Sequence, residues 1–153
     1  MENHPFVDCL GPYYTTILSE AQASQRGEFY TPQEIAKILA LMTVDAEKAI
    51  ESGIPFSVSD PCCGSGGMIL SLAQLFAPKN EGDPSHVDLI RATCVDVNPI
   101  AADMCYINTT LWGVPASVLC GNTLTLKMQS GWRNLHWVRV GEDDRRATLR
   151  RFP

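Results

Sequence analysis

The stretch DPCCGSGG, residues 60–67, joins two segments of different character and decides the fold. FSVSD, residues 56–60, predicts a β-strand, and the apolar run from Met68 to Phe76 predicts a helix. A glycine-rich turn between a strand and a helix lets the backbone approach a ligand closely, and the helix that follows offers unpaired N–H groups. The stretch therefore predicts a nucleotide or cofactor pocket at the tip of this strand.

Two further strands follow the turn and alternate with helices. LIRATCVDV, residues 89–97, predicts the second strand, and ASVLC, residues 116–120, predicts the third. Between them, Asn98 is suited to cap a helix that Gly113 ends, and residues 77–86 predict a loop. The order strand, helix, strand, helix, strand predicts a parallel βαβαβ unit with right-handed crossovers and strand order 3-2-1.

Helices are also predicted before the first strand. Residues 13–26 predict a weak helix, and a stronger signal begins at Thr31. Thr31 is a natural N-cap, Pro32 suits the first helical position, and Glu34 completes a capping box. We expect this helix to run to Gly53. Four apolar residues at helical spacing predict one buried face: Ile35, Ile38, Leu39 and Met42.

Composition excludes several classes of protein. The chain has 153 residues, of which 45% are hydrophobic and 19% charged, as is typical of one globular domain. It shows no signal peptide and no run of the roughly 18 apolar residues that a membrane span needs, so we expect a cytoplasmic protein. The six cysteines include no C-x-x-C, and the three histidines show no ligand spacing. We expect reduced, mostly buried cysteines and no metal.

Polar side chains end all three predicted strands. Asp60 ends the first, Asp96 ends the second with a carboxylate suited to ribose hydroxyls, and Asn122 follows the third with an amide suited to an adenine edge. The turn at 64–67 lacks the third glycine of G-x-G-x-x-G, and the chain has no P-loop, which disfavours NAD, FAD and nucleoside triphosphates. An adenosine ligand without a pyrophosphate fits better, and S-adenosylmethionine is the obvious one.

Four stretches, taken in order and spacing, resemble one known family: GEFYTPQEIAKILALM, DPCCGSGGMIL, CVDVNP and CGNTL. They are similar to the cofactor half of the DNA N6-adenine methyltransferases, specifically the modification subunit of type I restriction-modification systems. The resemblance covers residues 27–124. It implies an α/β fold with N-terminal helices and a truncated, Rossmann-like S-adenosylmethionine-dependent methyltransferase sheet, with S-adenosylmethionine as the cofactor.

The resemblance also implies a role for each site residue. Residues 29–33 would line the methionine side, Asp60 and the glycine-rich turn would hold the amino-acid end, and Asp96 would bind the ribose. Asn122 and Thr123 would meet the adenine; the family more often has Asp at position 122, so we expect weakened adenine selectivity at most. The predicted cofactor-binding residues are Phe29, Tyr30, Thr31, Pro32, Gln33, Asp60, Pro61, Gly64, Ser65, Gly66, Gly67, Asp96, Val97, Asn98, Asn122 and Thr123.

One motif of the family is missing from these residues. Such enzymes carry N/D-P-P-Y/F after the fourth strand, where it accepts hydrogen bonds from the target amino group and stacks on the flipped base. No such tetrapeptide occurs here, so we predict no catalytic residue and interpret the chain as a pseudoenzyme or partner-binding module that binds S-adenosylmethionine. One alternative is an active adenine-N6 methyltransferase, or a subunit of one, with acceptor residues supplied elsewhere. A weaker one is another Rossmann-like enzyme with a different adenosine ligand.

A sheet that stops after the third strand leaves the first strand at an open edge. We expect that edge to be covered either by a strand at residues 135–140 or by a second chain, through self-association or docking to a restriction-modification methyltransferase. Half of the twelve basic residues follow residue 132, so a weak DNA contact competes with a solvated terminus. The predicted segments are a helical one at 1–26, the S-adenosylmethionine-binding domain at 27–130, and a basic tail at 131–153 with room for one strand.

Overall fold

A computed structural model describes residues 6–17 and 31–149. Phe29, Tyr30 and most of the first predicted helix lie outside these residues. The elements are α1 (Gly11–Ile17), α2 (Gln33–Thr43), α3 (Ala46–Ser52), β1 (Phe56–Asp60), α4 (Gly67–Gln74), β2 (Ile90–Asp96), α5 (Pro99–Leu111), β3 (Ala116–Asn122), β4 (Lys127–Arg133) and α6 (Leu135–Leu149).

The described strands form one mixed sheet in the order β1-β2-β3-β4. β1 pairs with β2 and β2 with β3 in parallel, which confirms the predicted strand order 3-2-1. In this register Asp60 lies beside Cys94 and Asp96 beside Cys120. The carboxyl ends of the three parallel strands therefore lie side by side at one end of the sheet, and β2 extends two residues beyond the end of β1.

The hydrophobic core lies between α4, α5 and one face of the sheet. Phe76, Ile90 and Val118 are completely buried there. The opposite face of β1 carries Ser57 and Ser59, which are exposed. A strand buried between two helix layers is apolar on both faces, whereas a strand that buries one face alternates. β1 alternates, so its side chains fit a sheet with one solvated face.

Among the described residues, β1 pairs with β2 alone. β1 is therefore an outer strand of the sheet, as predicted. The predicted strand at residues 135–140 is wrong, because these residues belong to α6. The additional strand is β4, which pairs antiparallel with β3 at the opposite edge. Cover of the β1 edge by a second chain stays a prediction.

Asn134 explains why the apolar run after β4 is helical. It is fully buried, and its side-chain oxygen accepts hydrogen bonds from the backbone N–H of Trp137 at 2.9 Å and of Ala116 at 3.2 Å. Its amide donates to the Val114 carbonyl at 2.8 Å. An asparagine oxygen that accepts an N–H three residues further on caps a helix start, so Asn134 begins α6 and ties it to β3.

The helix after Thr31 differs from the prediction. Pro32, and not Thr31, is the N-cap of α2, and the proline side chain makes no capping hydrogen bond, so the predicted capping box is wrong. The predicted continuous helix is divided between α2 and α3, because the side chain of Asp45 accepts a hydrogen bond from the Lys48 backbone N–H at 3.1 Å and starts a second helix. Gly53, the predicted stop, is the C-cap of α3, and its φ of +62° favours glycine.

The buried face of α2 is also not the predicted one. Ala36 and Ala40 are the buried residues, with 1% and 3% of their surface exposed. Small side chains let α2 lie close to α4, its neighbour in the fold. The four larger apolar residues are exposed by 40% to 80%, so the prediction of a buried face is wrong for Ile35, Ile38, Leu39 and Met42.

Candidate cofactor site

A cavity of about 330 Å³ lies between the N-terminal segment, the start of α2 and the glycine-rich turn. Its volume is at the lower end of the roughly 300–1,000 Å³ of small-molecule sites. The two most specific stretches of the sequence meet at this cavity, although they are far apart along the chain. The predicted residues that line it are Thr31, Pro32, Gln33, Gly64, Ser65 and Gly67.

The glycine-rich turn is held by backbone hydrogen bonds and by one glycine behind it. The N–H of Gly66 donates to the Cys63 carbonyl at 2.8 Å, and the N–H of Cys63 donates to the Val95 carbonyl of β2 at 2.9 Å. Gly66 has a φ of +91°, and a Cβ there would lie 3.0 Å from the Cys105 sulfur. The conformation and the close approach of α5 both require glycine at this position.

Asp96 joins the tip of β2 to the same turn. Its Oδ2 accepts a hydrogen bond from the Gly64 N–H at 2.8 Å, and its Oδ1 accepts one from the Asn98 N–H at 2.8 Å. A carboxylate has about four acceptor positions, so Asp96 keeps capacity for a ligand. Asn98 caps α5 as predicted, because its side-chain oxygen accepts the Ile100 N–H at 3.0 Å. Val97 is exposed beside them.

Asp60 carries a buried carboxylate oxygen without a partner among the described residues. Oδ1 accepts the Cys62 N–H at 3.2 Å, whereas Oδ2 makes no hydrogen bond. Burial raises the pKa of Asp60, the N–H of Cys62 opposes that shift, and the nearby Cys94 and Asp96 add to it. An unpartnered buried oxygen suits a hydrogen-bond donor, but Asp60 is not among the residues that line the cavity.

The tip of β3 uses its polar groups to close the turn into β4. The side-chain oxygen of Asn122 accepts hydrogen bonds from the backbone N–H groups of Leu124 at 2.9 Å and Thr125 at 3.0 Å. The hydroxyl of Thr123 donates to the Pro61 carbonyl at 2.7 Å, which links this tip to the glycine-rich turn. These residues lie outside the cavity lining, and their predicted contact with adenine stays a prediction.

Comparison with known proteins decides the family. The profile of the N-6 DNA Methylase family matches residues 6–140, which include every described element except the end of α6. The chain belongs to the N-6 DNA methylase family. The resemblance predicted from the four stretches is therefore confirmed, and so is the α/β methyltransferase-like fold.

One similar protein is much longer than this chain. The Type I restriction enzyme MpnII methylase subunit of Mycoplasma pneumoniae (strain ATCC 29342 / M129 / Subtype 1) is 23% identical to it over 127 residues. The alignment covers 79% of this chain and 21% of that subunit. The chain thus spans about a fifth of the length of the relative that it matches.

The prediction missed one wall of the cavity. That wall comes from the N-terminal segment, and its centre is Asp8, which binds Ser65 of the glycine-rich turn and the buried Asn108 of α5. An Asx turn before α1 could have revealed Asp8, since its carboxylate accepts the N–H groups two and three residues further on. The lining residues of this wall are Phe6, Val7, Asp8, Gly11, Pro12 and Thr15.

Three further features of the described residues concern the cysteines, metal ligands and membrane-spanning helices. All six cysteines are free, and the four buried ones agree with the prediction: Cys63, Cys94, Cys105 and Cys120. Residues 6–17 and 31–149 contain no group of three His, Cys, Asp or Glu side chains placed to hold a metal ion. Within the same residues, no helix combines the length and the apolar character needed to cross a bilayer.

Proposed function

We propose that this chain binds S-adenosylmethionine at the carboxyl ends of the parallel strands, beside the glycine-rich turn. One observation carries the proposal: the helix start at Thr31 to Gln33 and the turn residues Gly64, Ser65 and Gly67 line a single cavity. Membership in the N-6 DNA methylase family supports it, because methylation of this kind takes its methyl group from S-adenosylmethionine.

The residues present fit the two chemically different parts of this cofactor. The cavity would take the methionine end, while the adenosine would extend along the strand tips outside it. Asp96 would accept the ribose hydroxyls with its remaining acceptor positions, since two backbone N–H groups already orient its carboxylate. The amide nitrogen of Asn122 would be the group offered to the adenine, because the amide oxygen closes the turn after β3.

We further propose that these 153 residues transfer no methyl group on their own. They contain no N/D-P-P-Y/F tetrapeptide to orient a target amino group. After β3 the chain turns back as the antiparallel β4, so the described residues place no strand beside β1, next to the tip that carries Asp60. Positioning the reactants is a large part of what such an enzyme supplies, so the chain would act as a cofactor-binding module or pseudoenzyme.

The second candidate is a subunit of an active adenine-N6 methyltransferase. The unpaired edge of β1 within the described residues favours it, because a strand from another chain could pair there. The relative from Mycoplasma pneumoniae is named as a methylase subunit of a type I restriction enzyme, which makes a restriction-modification subunit or a second copy the proposed partner. The proposed compartment is the cytoplasm, and DNA contact by the basic tail is a further hypothesis.

Calorimetry with S-adenosylmethionine and S-adenosylhomocysteine tests the binding proposal. We expect saturable binding by the wild-type chain and at least about tenfold weaker binding by Asp96→Asn, because a donor replaces one acceptor oxygen. The matched control is Asp88→Asn at an exposed position, which should bind like the wild type. No binding at millimolar ligand would overturn the proposal.

A tritium-methyl transfer assay on unmethylated DNA separates the two candidates. The chain alone should give no incorporation above background, and size-exclusion chromatography would show whether it forms oligomers. Incorporation by the chain alone that disappears in Asp60→Ala would overturn the pseudoenzyme. Incorporation that needs added restriction-modification subunits would favour the second candidate.

A further inference from the structure

One carboxylate fastens the N-terminal segment to the glycine-rich turn. Oδ1 of Asp8 accepts hydrogen bonds from the Asn108 side-chain amide at 2.8 Å, the Gly11 N–H at 2.8 Å and the Leu10 N–H at 3.1 Å. Oδ2 accepts one from the Ser65 hydroxyl. The Asn108 amide also donates to the Ser65 carbonyl at 2.9 Å. The carboxylate is therefore oriented by α1, α5 and the turn at once.

Packing on both sides of Asp8 keeps this carboxylate in place. Phe6 is 6% exposed and lies against the Trp112 ring, with 5.6 Å between the ring centroids. The Trp112 indole N–H donates to the Val7 carbonyl at 2.8 Å. On the other side, a Cβ at Gly11 would collide with Asp8 Oδ2 and Ser65 Oγ. The segment thus approaches the turn as closely as glycine permits.

Asp8 also determines the charge of the cavity. It is the one charged side chain among the described residues that line the cavity; the others are apolar or neutral polar. Each carboxylate oxygen offers about two acceptor positions, and Oδ2 has the Ser65 hydroxyl as its one partner, so Oδ2 keeps a free position. A Cβ built at Gly67 would lie 3.6 Å from Oδ2, which places this oxygen beside the first residue of α4.

We propose that Asp8 supplies the counter-charge for the ammonium group of S-adenosylmethionine, an inference that rests on the proposed function. An ammonium offers three donors and no acceptor, and its bond to a carboxylate is stronger than one between neutral groups. The resemblance assigned the amino-acid end to Asp60. Asp60 has an unpartnered oxygen, but it does not line the cavity. Asp8 is the carboxylate that the methionine end would meet inside the cavity.

The test measures the binding of three ligands to the full chain and to Asp8→Asn. S-adenosylmethionine and S-adenosylhomocysteine carry the ammonium, whereas 5′-methylthioadenosine lacks the whole amino-acid end. Asp8→Asn should weaken the first two by about tenfold or more, because an amide donor replaces the free acceptor oxygen. Binding of 5′-methylthioadenosine should change less than about threefold. The ratio within one variant does not depend on its folded fraction.

Asp103→Asn, on the exposed face of α5, is the matched control and should leave all three affinities unchanged. An equal loss for all three ligands in Asp8→Asn would overturn the inference, because Asp8 would then only hold the segment in place. Unchanged affinities in Asp8→Asn, or an ammonium-selective loss in Asp60→Asn instead, would also overturn it while the proposed function stands. A wild-type chain that binds none of the three ligands would remove the proposed function, and the inference with it.

Discussion

The glycine-rich turn follows β1, one outer strand of the sheet, whereas the β3–β4 hairpin contributes the other outer strand, β4, and the two regions are stabilised in different ways. The turn is buried at Cys63, Ser65 and Gly66, and the side chains of Asp8, Asp96 and Thr123 all form hydrogen bonds with it. Every residue of β4 is exposed, and the strand depends on its ladder with β3. The comparison teaches that the turn depends on side chains from three distant parts of the chain, whereas the hairpin depends on its own ladder and on the contacts of Asn134 that follow it.

Asn134 carries the largest predicted effect in this comparison. Asn134→Ala removes the bonds to Ala116, Val114 and Trp137, leaving a buried N–H and a buried carbonyl without their partner and α6 without its cap. We expect the free energy of unfolding to fall by about 3 kcal/mol, measured by chemical denaturation. The exposed Gln129→Ala on β4 is the control and should change it by less than about 0.5 kcal/mol. Similar values for both variants would mean that the hairpin does not depend on Asn134.

Gly66 tests the supports of the turn. Gly66→Ala places a Cβ 3.0 Å from the Cys105 sulfur at a φ of +91°, so we expect a loss of about 1–3 kcal/mol in stability together with weaker cofactor binding. Gly141→Ala is the matched control in α6, because a Cβ there meets nothing within 4 Å. It should stabilise the chain by about 0.5–1 kcal/mol, as alanine does in helices. A neutral Gly66→Ala would show that the turn is less constrained than its contacts indicate.

Leu126 tests the turn of the hairpin. Its φ of +58° is a left-handed conformation that a leucine adopts at a cost. Because asparagine tolerates this conformation, Leu126→Asn should stabilise the chain by about 0.5–1 kcal/mol in thermal unfolding. Leu124→Asn changes another exposed leucine of the same turn, one without a positive φ, and should have no such effect. Equal shifts in both variants would point to surface polarity rather than to backbone conformation.

Asp60 gives the smallest expected effect and a pH dependence. Because burial raises its pKa in the folded chain, folding favours the protonated form. Its contribution to stability is therefore fully present below the unfolded pKa of 3.8 and is lost as the pH rises through the folded pKa. Asp60→Asn should be more stable than the wild type at pH 7, and the difference should shrink below pH 4. A stability difference between Asp60→Asn and the wild type that stays constant across this pH range, or that equals the one for Asp103→Asn, would contradict a raised pKa for Asp60.

Part of the candidate site could be predicted, because the sequence motifs that indicate it span only a few residues each. Glycines at 64, 66 and 67 and the carboxylates that end the first two strands act within a few residues of the chain, and the structure places Thr31 and Ser65 on one cavity. The partner of Ser65 could not be predicted in the same way. Asp8 lies 57 residues away in the chain, and only folding brings the two together.

The hairpin and α6 escaped prediction for identifiable reasons. The turn after β3 has Leu126 where a glycine or asparagine would have indicated a left-handed residue. LHWVRV alternates like a strand, but the buried Asn134 before it caps a helix. In α2, spacing predicted which residues share a face, but not that Ala36 and Ala40 would be the buried ones, because periodicity does not reveal which face the neighbouring helix contacts.

The sequence by itself determined the parallel unit, its strand order and the family, because the alternation of apolar segments and the glycine-rich turn are encoded over a few residues each. Tertiary structure decided which edge of the sheet gained β4, which face of α2 is buried and which carboxylate enters the cavity. These depend on contacts between residues far apart in the chain, such as Asp8 with Asn108 and Asn134 with Ala116. Such contacts leave no regular spacing in the sequence.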